Sequence, residues 1–213
     1  MQEVRHGGAG AVTLDSPALL VVDLQNDFCD EDGFLSRARA ESGGPRVQAD
    51  DNVRVAESIE VLAEAARKGG IPVVWIRSIY DFKYLAPAHI AKRGGKEGLC
   101  MEDSWGADFF RIRPHPSDIV VTKHTFSGFH GTDLHEQLQS RGVRTLVLTG
   151  VATNVCVDST LREGFFLGYH IVVVEDGVAS SNRAGHEGTL STVRVNFGSV
   201  LPSEKLLALL NPT

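Results

Sequence analysis

Short apolar runs recur along the chain and alternate with longer segments in which apolar residues repeat every three or four positions. The runs are rich in Val, Ile and Leu and contain few polar residues, as is typical of strands buried on both faces. They predict strands at residues 18–24, 71–76, 119–121, 145–148 and 171–174, with a last apolar segment at 197–201.

The segments between these runs have the spacing of helices, and several end at glycine, which commonly terminates a helix. They predict helices within residues 53–66, 134–138, 156–166 and 186–195. Strand, helix and strand in this order predict βαβ units, and therefore an α/β fold with a parallel sheet between two layers of helices. Sites in such folds form where loops leave the carboxyl ends of the strands.

Two long connections interrupt this alternation, at residues 29–48 and 78–116. Long connections in compact domains are often lids or binding loops, and we expect residues 78–113 to shape a pocket. The chain shows no repeat, low-complexity tract or linker. We therefore predict a single domain over residues 1–213, with residues 1–16 as a peripheral N-terminal segment.

The charge of the chain narrows the class of partner. Its 213 residues carry a formal net charge of -6, with a pI near 5.7. An acidic balance argues against nucleic acid and anionic membrane surfaces, so a small molecule is the expected partner. No apolar run has the length of a signal peptide core or a spanning helix, and we expect a soluble, cytoplasmic protein.

The chain has three cysteines, and one of them lies at the start of a predicted helix. Cys29, Cys100 and Cys156 show no CxxC spacing, so neither a disulfide framework nor a zinc site is indicated. A free cysteine is most often small core filler, which is our expectation for Cys29 and Cys100. Cys156 stands just inside the start of a predicted helix. The helix dipole and the terminal amides there are expected to lower the thiol pKa.

Asp23 and Lys123 each follow a predicted strand, as Cys156 does. Considered separately, an acid or a lysine at the end of a strand is most often exposed to solvent. Together at one edge of a parallel sheet, the acid can accept the thiol proton while the lysine stabilises negative charge. This combination is the arrangement of a base-activated nucleophile.

Three segments carry a resemblance to a known family. ALLVVDLQNDF at residues 18–28, VVTKHTFSGF at 120–129 and LVLTGVATNVCVDSTLREGFFLGY at 146–169 resemble the hallmark segments of the isochorismatase-like cysteine hydrolases. The resemblance implies a three-layer α-β-α fold with a six-stranded parallel sheet and a homodimer or homotetramer. It implies no cofactor.

The resemblance also implies the parts of a catalytic site. A catalytic Asp-Lys-Cys set falls on Asp23, Lys123 and Cys156. A cis peptide falls between Val151 and Ala152. The backbone N–H groups of Ala152 and Cys156 are the implied oxyanion hole.

The same family narrows the reaction. Members that cleave isochorismate lack the cysteine, so Cys156 points to hydrolysis of a C–N bond. Nicotinamidases of the family carry an Asp-x-His pair that holds a metal, whereas Asp81 here has no histidine two residues later, and we expect no metal. The segments look most like ureidoacrylate and biuret hydrolases, which implies cleavage of a small amide or ureide through a thioester. A lactam or other cyclic amide fits the same residues, and a non-catalytic binding scaffold of this fold is a further alternative.

Four residues are candidates for contacts with substrate by their position. Phe28 follows the acid by five residues, Phe126 follows the lysine by three, and Trp105 lies in the long loop. Each is able to stack on a flat amide, although a place in the core is equally open for Phe126 and Trp105. Thr160, one helical turn beyond Cys156, is a candidate for orienting the site.

Overall fold

The computed structural model describes residues 14–44, 47 and 49–210. At its centre is a sheet of six strands in the order β3-β2-β1-β4-β5-β6, and every neighbouring pair is parallel. The strands are β1 (Pro17–Val22), β2 (Val73–Ser78), β3 (Ile119–Lys123), β4 (Thr145–Val151), β5 (His170–Ala179) and β6 (Gly198–Leu201). This sheet confirms the predicted α/β fold.

Helices connect the strands. They are α1 (Asn26–Cys29), α2 (Phe34–Glu41), α3 (Ala49–Lys68), α4 (Pro87–Lys92), α5 (Leu134–Gln139), α6 (Asp158–Phe166), α7 (Arg183–Thr192) and α8 (Ser203–Leu210). Short 3₁₀ turns at Phe82–Tyr84 and Trp105–Ala107 lie in the long connection between β2 and β3. Two π-helical turns, Thr153–Val157 and Val193–Phe197, precede α6 and β6.

The core has two halves, one on each face of the sheet, because successive side chains of a strand point to opposite faces. Leu20 and Val22 of β1 belong to the cluster that includes α5, α6 and α7. Leu19 and Val21 belong to the cluster that includes α3 and α8. Both clusters are almost fully buried, so the molecule has the three layers that the pattern of buried strands predicts.

Two predictions about element boundaries are wrong. The connection at residues 29–48 contains α2, although its Gly, Asp and Arg content reads as loop; Gln48 lies outside the described residues. Strand β5 continues five residues beyond the predicted end at residue 174, through the polar pair Glu175-Asp176 to Ala179. Both of those side chains are exposed, so the pairing of the strand with β4 rather than its hydrophobicity determines its length.

The N-terminal segment was predicted at residues 1–16, of which 1–13 lie outside the described residues. Its last two residues are attached to the start of β4. The carbonyl of Ser16 accepts the N–H of Arg144, and the hydroxyl of Thr145 donates to the carbonyl of Asp15.

The long connection between β2 and β3 folds over the carboxyl ends of the strands. Its apolar residues form a third, smaller cluster that includes Ile79, Tyr80, Leu85 and Cys100. Asp27 of α1 ties it to the start of α2, since the Asp27 carboxylate accepts the backbone N–H groups of Cys100 and Phe34. Within the described ranges, no helix combines the length and the apolar character that a membrane span requires.

Candidate active site

The topology of the sheet creates a crevice between β1 and β4. The chain after β1 reaches β2 through α3 on one face, and the chain after β4 reaches β5 through α6 on the other. Loops therefore leave these two neighbouring strands in opposite directions. Such a switch point is where open parallel sheets form their sites, and Asp23 follows β1 while Cys156 follows β4.

A buried ion pair lies at this point. The ammonium of Lys123, the last residue of β3, is 2.7 Å from Oδ2 of Asp23, and both side chains are almost completely inaccessible to solvent. Because β2 separates β1 from β3, the lysine side chain crosses the end of β2 to reach the acid. Sequence analysis expected both residues at one edge of the sheet, and the structure adds that they form a direct ion pair across the end of β2.

Ser78, the last residue of β2, fills the gap between them. Its hydroxyl donates to Oδ1 of Asp23 at 3.0 Å and accepts from Lys123 Nζ at 2.8 Å. Gln25 fixes this serine, because its amide oxygen accepts the N–H of Ser78 and its amide nitrogen donates to the Ser78 carbonyl. Sequence analysis missed both residues. The only available signal was a polar residue ending an apolar strand.

The ammonium of Lys123 is fully hydrogen-bonded. Besides Asp23 and Ser78, it donates to the carbonyl of Thr125 at 2.9 Å. Burial is the largest single influence and lowers the pKa of Lys123, but the charge of Asp23, the interactions with Cys156 and Tyr80 and the hydrogen bond to Asp23 together outweigh it, so the pKa lies above its ordinary value. The lysine is therefore a fixed positive charge in the site.

Cys156 lies in the π-helical turn at Thr153–Val157, between β4 and α6. Its side chain is 5% exposed and lies close enough to Asp23 and Lys123 for their charges to act on the thiol. The structure thus brings together the three residues that sequence analysis singled out.

The expectation of a lowered thiol pKa is wrong. Burial raises the pKa of Cys156 most strongly, the charge of Asp23 raises it further, and Lys123 only partly opposes them, so that it reaches about 12. Desolvation of the thiolate thus outweighs any stabilisation from the helix start. The thiol is protonated at neutral pH, and the adjacent Asp23 carboxylate is the group positioned to accept its proton.

The turn that carries Cys156 begins at a cis peptide between Val151 and Ala152. The carbonyl of Ala152 accepts the N–H groups of Val155 and Val157. The side chain of Asn154 also accepts a hydrogen bond from the Ser180 hydroxyl, at the end of β5. These bonds tie the turn to itself and to its neighbours.

Thr160, which was a candidate for contact with substrate and for orienting the site, makes its hydrogen bonds within the protein. Its side chain is completely buried. Its hydroxyl donates to the carbonyl of Cys156 at 2.7 Å and accepts the N–H of Gly128 at 3.0 Å. Since both interactions are within the protein, Thr160 positions the turn of Cys156 against the loop after β3.

The three aromatic candidates have different surroundings. Phe28 is partly buried and packs edge-on against Tyr80, with ring centroids 6.4 Å apart. Phe126 is 39% exposed, and its ring lies 4.8 Å from that of His89. Trp105 is 51% exposed, so its place in the core, which was left open, is excluded. Its carbonyl accepts a hydrogen bond from Asn26.

Tyr80 is a further residue that sequence analysis missed. It is buried, and its ring centroid lies 5.8 Å from Lys123 Nζ. Its hydroxyl donates to the carbonyl of Thr125, which Lys123 also uses. Tyr80 thus places the start of the long connection against Lys123 as part of the wall of the site.

Asp81, which sequence analysis compared with the acid of an Asp-x-His pair, is bound within the long connection. Its carboxylate accepts the backbone N–H of Glu102. Lys83, two residues later, pairs with the side chain of Glu102 at 2.8 Å. Across the described part of the chain, His, Cys, Asp and Glu form no group of three or more that is arranged to hold a metal ion.

Comparisons with known proteins agree with this architecture. Residues 17–205 match the model of the isochorismatase domain, and this range includes Asp23, Lys123 and Cys156. An N-carbamoylsarcosine amidase from Thermoplasma acidophilum is 28% identical, with 89% of this chain and 98% of that chain covered and a TM-score of 0.72. A nicotinamidase from Bacillus subtilis is 26% identical, with coverages of 88% and 99% and a TM-score of 0.72.

A third structure shares the fold. A cysteine hydrolase from Pseudomonas syringae pv. phaseolicola 1448A is 24% identical, covers 92% of each chain and has a TM-score of 0.78. The similarities thus extend over most of the sheet and its helices.

Proposed function

The chain belongs to the isochorismatase family, and on this premise we propose that it is a cysteine-dependent amidohydrolase, which cleaves a C–N bond of a small amide or ureide through a thioester. One observation carries the proposal. The Cys156 thiol lies beside a buried Asp23–Lys123 pair at the switch point of the sheet. A buried carboxylate that contacts a protonated thiol has the position of a general base.

In the first step, Asp23 accepts the thiol proton as Cys156 Sγ attacks the carbonyl carbon of the substrate. The C=O bond becomes a C–O⁻ bond, and the N–H groups of Ala152 and Cys156 stabilise the oxyanion. Lys123 stays charged and offsets the negative charge that this step concentrates beside it. The raised pKa of Cys156 makes the base necessary, because the free thiol does not ionise near pH 7.

In the second step, the tetrahedral intermediate collapses. The C–N bond breaks, Asp23 gives its proton to the leaving nitrogen, and an acyl group remains on sulfur. Asp23 then takes a proton from water, whose oxygen attacks the thioester and releases the thiol and an acid. With a ureide, that acid is a carbamic acid, which decomposes to ammonia or an amine and carbon dioxide.

The relatives support C–N bonds as the target. The two relatives above 25% identity that are described here are named for an N-carbamoyl compound and for nicotinamide, and both names denote amidases. The Asp81 carboxylate already accepts the backbone N–H of Glu102. This bond favours a hydrolase of amides or ureides that works without a metal at Asp81.

A homodimer or homotetramer is part of the same proposal. Phe166, Leu167 and Val195 expose large apolar side chains, which a subunit contact would cover. Light scattering of the purified protein measures its mass directly, and a monomer at micromolar concentration would refute this part.

The first test compares wild type with Cys156→Ala on a panel of amides, ureides and lactams. Ammonia release and mass spectrometry for added water are followed together, because a lactam opens without releasing ammonia. We expect Cys156→Ala to lower kcat by at least about 10³-fold, as removal of a nucleophile does in other hydrolases.

Cys29→Ala is the matched control. It removes a thiol that is buried in the core, and it should leave the rate constants within about threefold of wild type. Hydrolysis that persists in Cys156→Ala would refute the thioester route.

A further inference from the structure

The long connection places a cation near the nucleophile that the proposed mechanism does not use. Arg93 follows α4, and its guanidinium carbon lies 4.1 Å from the ring centroid of Tyr80. It is partly buried. Within the described ranges, no Asp or Glu forms an ion pair with Arg93 and no acceptor takes a hydrogen bond from its guanidinium.

Tyr80 connects this arginine to the site. The same ring that carries Arg93 lies near Lys123 Nζ, and the Tyr80 hydroxyl shares the Thr125 carbonyl with that lysine. Burial is the main cause that lowers the pKa of Arg93. Arg93 thus contacts a ring that also lies near Lys123, and it remains charged, because arginine stays protonated in proteins.

The other basic groups around the thiol are not available for an anion. Lys123 is already neutralised by Asp23 and uses its donors within the protein. Burial, followed by the charges of Arg93 and Lys123, lowers the pKa of His89, so its imidazole is neutral near pH 7. Its ring packs against Phe126. Of the three basic residues compared, Arg93 has both a charge and donors that no acceptor among the described residues takes.

We infer that Arg93 binds a carboxylate of the substrate, which is therefore a small amide or ureide that also carries an acid group. The inference rests on the proposed function, because it names the substrate class of the same site. A guanidinium offers two parallel N–H donors to a carboxylate, and its stacking on Tyr80 holds the plane of this fork in place. Partial burial strengthens the pair relative to an exposed one.

Because the whole chain is negatively charged, binding of an anionic substrate depends on a cation inside the site. A molecule with a formal charge of -6 repels an anionic substrate at long range, so selectivity for an acid has to come from a group inside the site. The alternative is that Arg93 only packs on Tyr80 as a cation–π contact. The two readings differ in whether an anion reaches Cys156 faster than a neutral molecule of the same size.

The test uses iodoacetate and iodoacetamide, which are similar in size and differ in charge. With either reagent, Cys156 Sγ attacks the methylene carbon, iodide leaves, and the thiol proton passes to Asp23. The rate of each alkylation is measured at Cys156 by mass spectrometry. Cys29 and Cys100 are fully buried and serve as internal controls.

For Arg93→Gln, we expect the ratio of the iodoacetate rate to the iodoacetamide rate to fall by about tenfold or more, as expected for loss of a charged hydrogen bond. The iodoacetamide rate itself should change by less than about threefold, since the triad is untouched. Lys92→Gln removes the same charge from the neighbouring exposed residue and should leave the ratio unchanged. An unchanged ratio in Arg93→Gln overturns the inference.

Hydrolysis of N-carbamoylglycine, which carries a carboxylate, and of N-(2-hydroxyethyl)urea, which does not, distinguishes the proposed carboxylate site from the proposed amidohydrolase activity. If wild type prefers the acid and Arg93→Gln raises KM for it alone, both proposals are supported. Turnover of both compounds at equal efficiency, with no reagent selectivity, leaves the amidohydrolase and overturns the carboxylate site. Reagent selectivity that depends on Arg93, with no amide, ureide or lactam hydrolysed, supports the anion site and overturns the amidohydrolase.

Discussion

Ionisable groups without access to water define the site at the scale of single residues. Removing one partner of a buried ion pair typically costs about 3–5 kcal/mol, because the remaining charge is left unpaired. Asp23 and Lys123 avoid that cost through their mutual contact and through Ser78, which bonds to both. Their burial also removes competing water, so each charge acts strongly on the Cys156 thiol.

Ser78→Ala should lower activity without removing any group of the proposed triad. The substitution takes one hydrogen bond from Asp23 and one from Lys123, so the carboxylate is held less firmly beside the thiol. We expect kcat to fall by about tenfold to 100-fold, as for loss of a supporting hydrogen bond around a site, with KM changed far less. Steady-state kinetics on the best substrate measure both constants.

Ser58→Ala is the matched control for this substitution. The Ser58 hydroxyl is buried but has no hydrogen-bond partner in the described structure, so its removal should change neither kcat nor the melting temperature appreciably. If Ser78→Ala and Ser58→Ala behave alike, the positioning role of Ser78 is refuted.

Contacts between strands set the geometry of the site at the scale of elements. Asp23 has a positive φ of 49° directly after β1, so the chain turns there and the carboxylate reaches the end of β2. On the other side of the crevice, β4 pairs with β1 through Val22 and Gly150. The pairing of β4 with β5 is irregular between Leu148 and Gly150. This irregular end of β4 leads into the turn of Cys156.

Gly150→Ala should disrupt this crevice. A Cβ at Gly150 would lie 2.0 Å from the carbonyl oxygen of Val22, and its φ of 101° is unfavourable for any other residue. Because the obstacle is backbone in the middle of the sheet, it cannot move aside. We expect the free energy of unfolding to fall by more than about 3 kcal/mol, in the range of severe single substitutions, as measured by urea denaturation.

Gly188→Ala makes the same chemical change in the interior of α7. A Cβ there meets nothing within 4 Å, so helix propensity should raise stability by up to about 1 kcal/mol. A Gly150→Ala protein as stable as wild type would contradict the close approach of β1 and β4.

Buried acids with raised pKa values make the whole molecule sensitive to alkali. Burial raises the pKa of Cys156 from 9.0 to about 12, and it raises the pKa values of Cys29 and Cys100 as well. Above pH 9 the unfolded chain releases these thiol protons while the folded chain keeps them. The folded state therefore loses stability as pH rises, and below pH 9 the effect vanishes.

We expect the free energy of unfolding to decrease by about 1.4 kcal/mol per pH unit for each such thiol between pH ~9 and ~12. Urea titrations at pH 8, 9.5 and 10.5 measure the slope. Cys29→Ala should reduce it by the share of one thiol, whatever its effect at pH 8. Equal slopes in the two proteins would show that Cys29 does not keep its proton on folding.

The sequence by itself determined the strands, the parallel sheet and the identities of Asp23, Lys123 and Cys156. Apolar runs, helix stops and polar residues at strand ends are local features, and parallel strands bring their carboxyl ends to one edge. The tertiary structure alone decided which groups support or surround them. Ser78 and Arg93 meet the site through pairings and packing across the chain, and the local sequence does not show these contacts, although Ser78 is a polar residue at a strand end.

The pKa of the Cys156 thiol shows the same division between what the sequence predicts and what the tertiary structure decides. Its position at the start of a helix is visible in the sequence and predicts a lowered pKa, whereas its burial beside a carboxylate is not visible and raises the pKa. Thr160 likewise shows its helical position in the sequence, but only packing assigns its hydroxyl to the Cys156 carbonyl and the Gly128 amide. Burial is a property of the assembled fold, and at this site desolvation is the strongest effect on the charges that carry the chemistry.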